Sequence, residues 1–227
     1  MRYALAIFAG LWASFASAED LDARYIGPTD RYPHAVLGDA LEWTRLELRQ
    51  GGQLRRFDLP DNLVFEDLEP RVVDLDFDGE AEVITIESDQ HKGARLAIYD
   101  WSGRISATPH IGTRFRWLAP IGAIDMDGDG AIEIGFIDRP HLRKTLVIYR
   151  YSDKKLTPWA ELSGLTNHRI GDDFIVGGVR SCDQPEMLAV SADWSRIIAV
   201  SFENGALRQT DLGRYTRAKM ERFLNAC

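Results

Sequence analysis

Residues that carry the common chemistries are scarce in this 227-residue chain. Two cysteines, Cys182 and Cys227, are too few for a thiolate cage and are not spaced as a C-x-x-C redox pair. Five histidines (His34, His91, His110, His141 and His168) stand at no metal-ligand spacing to one another. G-x-S-x-G, P-loop and H-E-x-x-H patterns are missing, which removes the easily recognised hydrolase, nucleotide and zincin chemistries. Positive charge is in deficit too. Against 35 Asp and Glu stand 27 Lys and Arg, a formal net charge of −8, a balance that argues against nucleic acid and anionic membrane surfaces as partners. No apolar run beyond residue 18 approaches the roughly 20 residues of a membrane span.

What is present begins at the N-terminus. Met1-Arg2-Tyr3 precedes an apolar stretch over 4–16, and Ala16-Ser17-Ala18 forms an A-x-A cleavage site before Glu19. This pattern predicts a secretory signal peptide over 1–18 and a single mature domain over 19–227, periplasmic or secreted. No cysteine follows the cleavage site, so a lipoprotein anchor is not expected. In an oxidising compartment an even cysteine pair favours a Cys182–Cys227 disulfide over two free thiols. A bridge closing such a loop contributes roughly 3–5 kcal/mol in the chain-entropy description.

The densest chemistry lies in two acidic clusters. Asp74-Leu75-Asp76-Phe77-Asp78-Gly79-Glu80-Ala81-Glu82 and Asp125-Met126-Asp127-Gly128-Asp129-Gly130-Ala131-Ile132-Glu133 both place acids at positions 1, 3, 5 and 9 and Gly at position 6. Alternate side chains of a curled backbone then converge on one point, where like charges repel unless a cation neutralises them. Calcium suits such a pocket because it accepts six to eight oxygens in flexible geometry, the position 7 carbonyls of Glu80 and Ala131 among them. The candidate ligands are therefore Asp74, Asp76, Asp78, Glu80 and Glu82 at one Ca2+ site and Asp125, Asp127, Asp129, Ala131 and Glu133 at a second. An EF-hand would need a bidentate Glu at position 12, where Thr85 and Phe136 stand instead. The runs after each loop are short and β-branched, which predicts hairpin turns rather than helix linkers.

A D-x-D-x-D-G-x-x-E loop between two strands resembles the calcium loop of FG-GAP and VCBS-type repeats of the integrin-like propeller family. That resemblance implies four-stranded blades with calcium between the first two strands of a blade. Internal repetition agrees with it. Leu46-Glu47-Leu48-Arg49, Leu96-Ala97-Ile98-Tyr99, Leu146-Val147-Ile148-Tyr149 and Ile197-Ile198-Ala199-Val200 recur at spacings of 50, 50 and 51 residues. Each is followed by a polar turn and a further short strand, and each is preceded by a strand running over 34–39, 82–89, 133–138 and 186–193. The expected fold is all-β: a small propeller of about four blades of four strands, closed or open, with a short C-terminal helix capped by Thr216. Only the middle two units carry the full metal loop.

Two functional readings follow. The leading one is a non-enzymatic, monomeric, calcium-binding module whose rim or top surface holds an extracytoplasmic protein or glycan. The alternative is an enzyme acting on the envelope or on polysaccharide through a cleft around His110, His141 and His168, with Arg114 and Arg169. Trp101, beside a hairpin turn, is a candidate stacking platform for sugars or a packing residue between blades.

Overall fold

The computed structural model describes residues 21–38 and 41–226. The expected signal peptide and Cys227 lie outside those residues.

Among the described residues, seventeen strands and one helix make an all-β architecture of three sheets. The first sheet holds eight strands: β1 (Asp22–Thr29), β2 (Glu42–Gln50), β3 (Gln53–Asp58), β4 (Leu63–Phe65), β5 (Arg71–Val73), β6 (Glu82–Asp89), β7 (Gly93–Asp100) and β8 (Gly103–Ala107). A second, four-stranded sheet follows, made of β9 (Leu118–Ile124), β10 (Ile132–Asp138), β11 (Thr145–Ser152) and β12 (Lys155–Ser163). The third holds β13 (Leu165–Thr166), β14 (Gly178–Ser181), β15 (Pro185–Ser191), β16 (Arg196–Glu203) and β17 (Ala206–Arg214), and the chain then enters α1 (Arg217–Leu224).

All four hairpins expected from the repeat are formed: β2–β3, β7–β8, β11–β12 and β16–β17 pair antiparallel across short turns. Three of them carry a register shift, at the same place in two units, Ile98/Tyr99 and Ile148/Tyr149, and two residues earlier in the last, Ile197/Ile198. Between the first two of these the period is kept in backbone detail, since a bulge adds one residue and sharpens the local twist.

The first unit departs from expectation. The segment over 34–39 was expected as its second strand, yet its described residues lie in a turn-rich connector between β1 and β2. β1 pairs directly with β2, from Asp22 opposite Arg49 to Thr29 opposite Glu42. The physical cause is local. Ala35 takes φ 54° and Gly38 φ 94°, two left-handed positions inside the segment, so it cannot run as a regular strand. The first two units are not separate blades either. Leu63, Val64 and Phe65 of β4 are all buried, and β4 pairs with β2 on one side and β6 on the other, which joins both units into one sheet.

Central strands are buried from end to end because both their faces are covered, their apolar residues interleaved with buried acids. Every residue of β6 and of β10 is buried, and Val83, Ile84, Thr85 and Ile86 supply the β-branched side chains that fit such a surface. The largest core cluster runs from Leu75, Ile84 and Ile98 through Ile134 and Ile148 to Met187 and Val200, tying the second, third and fourth units together. A second cluster around Leu46, Phe65 and Tyr99 lies under the first sheet. In α1, Thr216 caps the first turn by accepting from the Lys219 N–H at 3.2 Å, and buried Met220 packs on Val176, Leu188 and Val190. Cys182, in the turn after β14, is disulfide-bonded.

One glycine decides where the β8–β9 connector lies. Gly93 has φ +71°, and a Cβ there would come within 2.1 Å of the Thr113 carbonyl oxygen and 2.9 Å of that of Arg116. The connector is zipped against this point by Ala94 N–H to Arg116 O and Ile111 N–H to Ala94 O, both 2.9 Å. Gly93→Ala is therefore expected to cost about 3 kcal/mol through strain and overpacking against rigid backbone. In a thermal melt this should read as a Tm lowered by roughly 10 °C for a chain of this size. An unchanged Tm would show that the connector is not held there.

Candidate metal centres

Both acidic loops are hairpin turns with no helix beside them. The first joins β5 to β6, closed by Val73 opposite Glu82; the second joins β9 to β10, closed by Ile124 opposite Glu133. Their backbones repeat one another. At position 4, Phe77 and Gly128 take φ 58° and 76°; at position 6, Gly79 and Gly130 take φ 90° and 88°. A Cβ at either position 6 would meet nothing within 4 Å, so it is the left-handed conformation, not crowding, that calls for glycine there.

In each loop the acids at positions 1, 3 and 9 converge. One carboxylate oxygen each from Asp74, Asp76 and Glu82 lies within 4.8 Å of the others, and so do those of Asp125, Asp127 and Glu133. Oxygens on opposite sides of a calcium ion at about 2.4 Å are separated by just such a distance. The position 5 acids turn back on the loop instead. Asp78 accepts from the Glu80 N–H at 2.8 Å and Asp129 from the Ala131 N–H at 2.9 Å, while the Glu80 side chain is exposed. The position 9 glutamates are buried at the root of each hairpin and accept from the position 2 N–H, Leu75 at 2.9 Å and Met126 at 2.8 Å.

The two loops differ in what surrounds those acids. Glu133 also accepts from Arg150 Nε at 2.6 Å, and the same guanidinium reaches Asp129 at 2.7 Å and Asp127. Glu82 accepts no side-chain donor among the described residues. Burial first, then the charges of Asp76, Asp78 and Asp74, push its carboxyl up to about 7. Asp74 Oδ1 is buried without a hydrogen-bond partner, and so is the hydroxyl of Tyr151, a residue 1 % exposed. Oxygen-only donor sets of this kind fit a hard divalent cation, calcium or magnesium, better than a soft metal.

A second polar assembly was not legible as a site. His34 is hydrogen-bonded through Nδ1 to the fully buried Glu66, which also accepts from Ser88 Oγ. Burial pushes the Glu66 carboxyl up while His34 pulls it down. His34 stacks on Phe115 with ring centroids 5.1 Å apart and opens onto a cavity of about 190 Å³, shared with Arg116, Trp117, Arg139, His141 and Ile170. Behind it, His141 Nε2 and His168 Nδ1 are 3.0 Å apart, and His168 Nε2 meets the Asp172 carbonyl at 3.0 Å. His110 is elsewhere, its Nδ1 2.8 Å from the Gly93 carbonyl, in a separate cavity beside Asp138 and Arg143. Arg114 lies over Phe115 and Arg169 over Trp194. Of the five residues grouped in the enzyme reading, only His141 and His168 touch. Glu66 follows the apolar triplet of β4 with no motif around it, so nothing in the sequence pairs it with His34.

Scanned against protein-family models the chain matches none, and no curated protein sequence matches it. Among the described residues no helix is long and apolar enough to cross a membrane.

The histidine pair sets a pH dependence. Burial first, then the neighbouring charges of His168 and His34, push His141 down to about 4. An unfolded chain with an imidazole near 6.5 takes up a proton that the folded chain refuses. Stability from this group is thus fully present above about pH 6.5 and lost as pH falls toward about 4. His141→Gln should flatten the fall of Tm over that window relative to wild type; parallel curves for both proteins would remove His141 from the account.

Proposed function

We propose that the chain is an exported, non-enzymatic calcium-binding protein of the FG-GAP and VCBS repeat type, whose four units form a small propeller-like array in which the first two share one sheet. The observation that carries this reading is the convergence of carboxylates at positions 1, 3 and 9 in a hairpin turn whose backbone is repeated in a second unit. The pattern of Arg2, the apolar stretch and Ala16-Ser17-Ala18 supports export to the periplasm or beyond. A radial arrangement is supported by the cavity at the His34 dyad, because connectors from all four units meet there: Val36 from the first, Phe115 from the second, His141 from the third and Ile170 from the fourth. Its mixture of rings, imidazoles and guanidinium suits a protein loop or a glycan as ligand.

Calcium, when bound, would neutralise the loop acids and fix the hairpin; Asp74, Asp76 and Glu82 are the residues to hold it in the first loop. Adding Ca2+ at a hundredfold excess over Kd should then stabilise the protein by about 2.7 kcal/mol, reversed by chelator. Asp76→Ala should abolish the difference between the calcium and chelator melts. A wild-type melt indifferent to both additions refutes the reading.

A second reading, acid–base chemistry on a glycan, is favoured by the Glu66-oriented imidazole of His34 facing a cavity. Hydrolysis of an envelope polysaccharide that is lost in His34→Asn at unchanged Tm would establish it.

A further inference from the structure

We infer that only the first loop takes up a free divalent cation, and that the second is closed by the chain's own Arg150 guanidinium standing where an ion would go. This rests on the metal reading above and assigns the ion to one loop of the two.

The difference arises at a single repeat position. Tyr99 and Tyr149 end equivalent segments 50 residues apart, and the next residue is Asp100 in one unit and Arg150 in the other. Arg150 is the cross-strand partner of Glu133. In the second unit Val83 opposite Tyr99 brings Asp100 beside Glu82. A charge reversal therefore faces the buried glutamate, with a cation in one loop and a further acid near the other.

In the second loop the guanidinium spends its fork on Glu133, Asp129 and Asp127, two of which are among the three acids that converge. Trp159 lies under the same group, 5.2 Å from ring centroid to Cζ, and holds it in place. A divalent ion entering here must break three charge-assisted hydrogen bonds and would sit against a fixed positive charge.

The first loop has no such occupant. Glu82, 4 % exposed, keeps only the Leu75 N–H, and Asp74 Oδ1 is buried without a partner. A group from the third unit is unsatisfied near the same acids: the Tyr151 hydroxyl, on a side chain 99 % removed from solvent, has no partner, and the charges of Glu82, Asp76, Asp100 and Asp78 act on it. Lys154 borders the same cavity, but its ion pair is with Asp100, at 3.7 Å, on a side chain 60 % exposed, and it forms none with an acid of the loop. A cavity of about 210 Å³ borders Glu82, Asp78 and Asp100. Buried acceptors without donors are costly unless water or an ion fills the gap between them. With oxygen donors alone, that ion is a hard divalent cation.

Counting ions tests this. Metal-stripped wild type titrated calorimetrically with Ca2+, and with Tb3+ followed by luminescence, should bind one equivalent. Arg150→Gln should bind two, and Asp76→Ala none. Asp100→Arg, which carries the reversal into the first loop, should weaken binding at least hundredfold. Two equivalents in wild type, or one in an Arg150→Gln variant whose circular dichroism is native, would overturn the assignment while leaving calcium binding itself intact. Zero equivalents in wild type would instead remove the metal reading on which it stands. Should Arg150→Gln not fold, Asp127→Ala decides the matter: the calcium-induced rise in Tm should survive that change, and its loss overturns the assignment.

Discussion

A carboxylate buried at the foot of a hairpin has to be matched by positive charge, and this demand organises the second and third units. Glu82 is the first residue of β6 and Glu133 the second of β10, where the sheet is already dry. An ionised acid there costs several kcal/mol unless it is paired. The chain meets that demand for several other buried acids with arginine: Glu47 has Arg24 and Arg56, Glu87 has Arg95 and Arg104, Asp138 has Arg139 and Arg143, and Glu186 has Arg180. Glu82 has no such arginine among the described residues, and it lies inside a loop already crowded with acids.

The same arithmetic of charge explains why two loops with one backbone need not have one chemistry. Curling of the turn is set by left-handed positions 4 and 6 and by the N–H groups that the acids cap, features local to nine residues. What stands opposite the loop is decided on the neighbouring strand. Loop conformation and loop occupancy are therefore specified by different parts of the sequence.

Much of this was readable in advance. Hairpins at 50-residue intervals, the loops as turns between strands and the capped C-terminal helix all follow from local periodicity and turn chemistry, and all are found. The merging of the first two units was not readable, because a three-residue strand such as Leu63-Val64-Phe65 has no period to recognise and its partners lie on both sides of it in the chain. Nor was the His34–Glu66 pair, which depends on a connector folding back over 32 residues. Arg150 was within reach: aligning the repeats sets it against Asp100, and a reversal of sign beside an acidic loop is a signal that composition alone conceals.

The shared strand β4 has a consequence for how such a chain can grow or shrink. Between the second and third units, and between the third and fourth, no described strand is shared and the packing is mainly of side chains, with a main-chain bond such as Leu165 N–H to Lys144 O only at the linker, so a whole module could be duplicated or deleted there at the cost of one packed face. The first pair is different, for its two members are sewn by main-chain bonds to a strap that belongs to neither. They would have to be inherited together, as one double module at the head of the array.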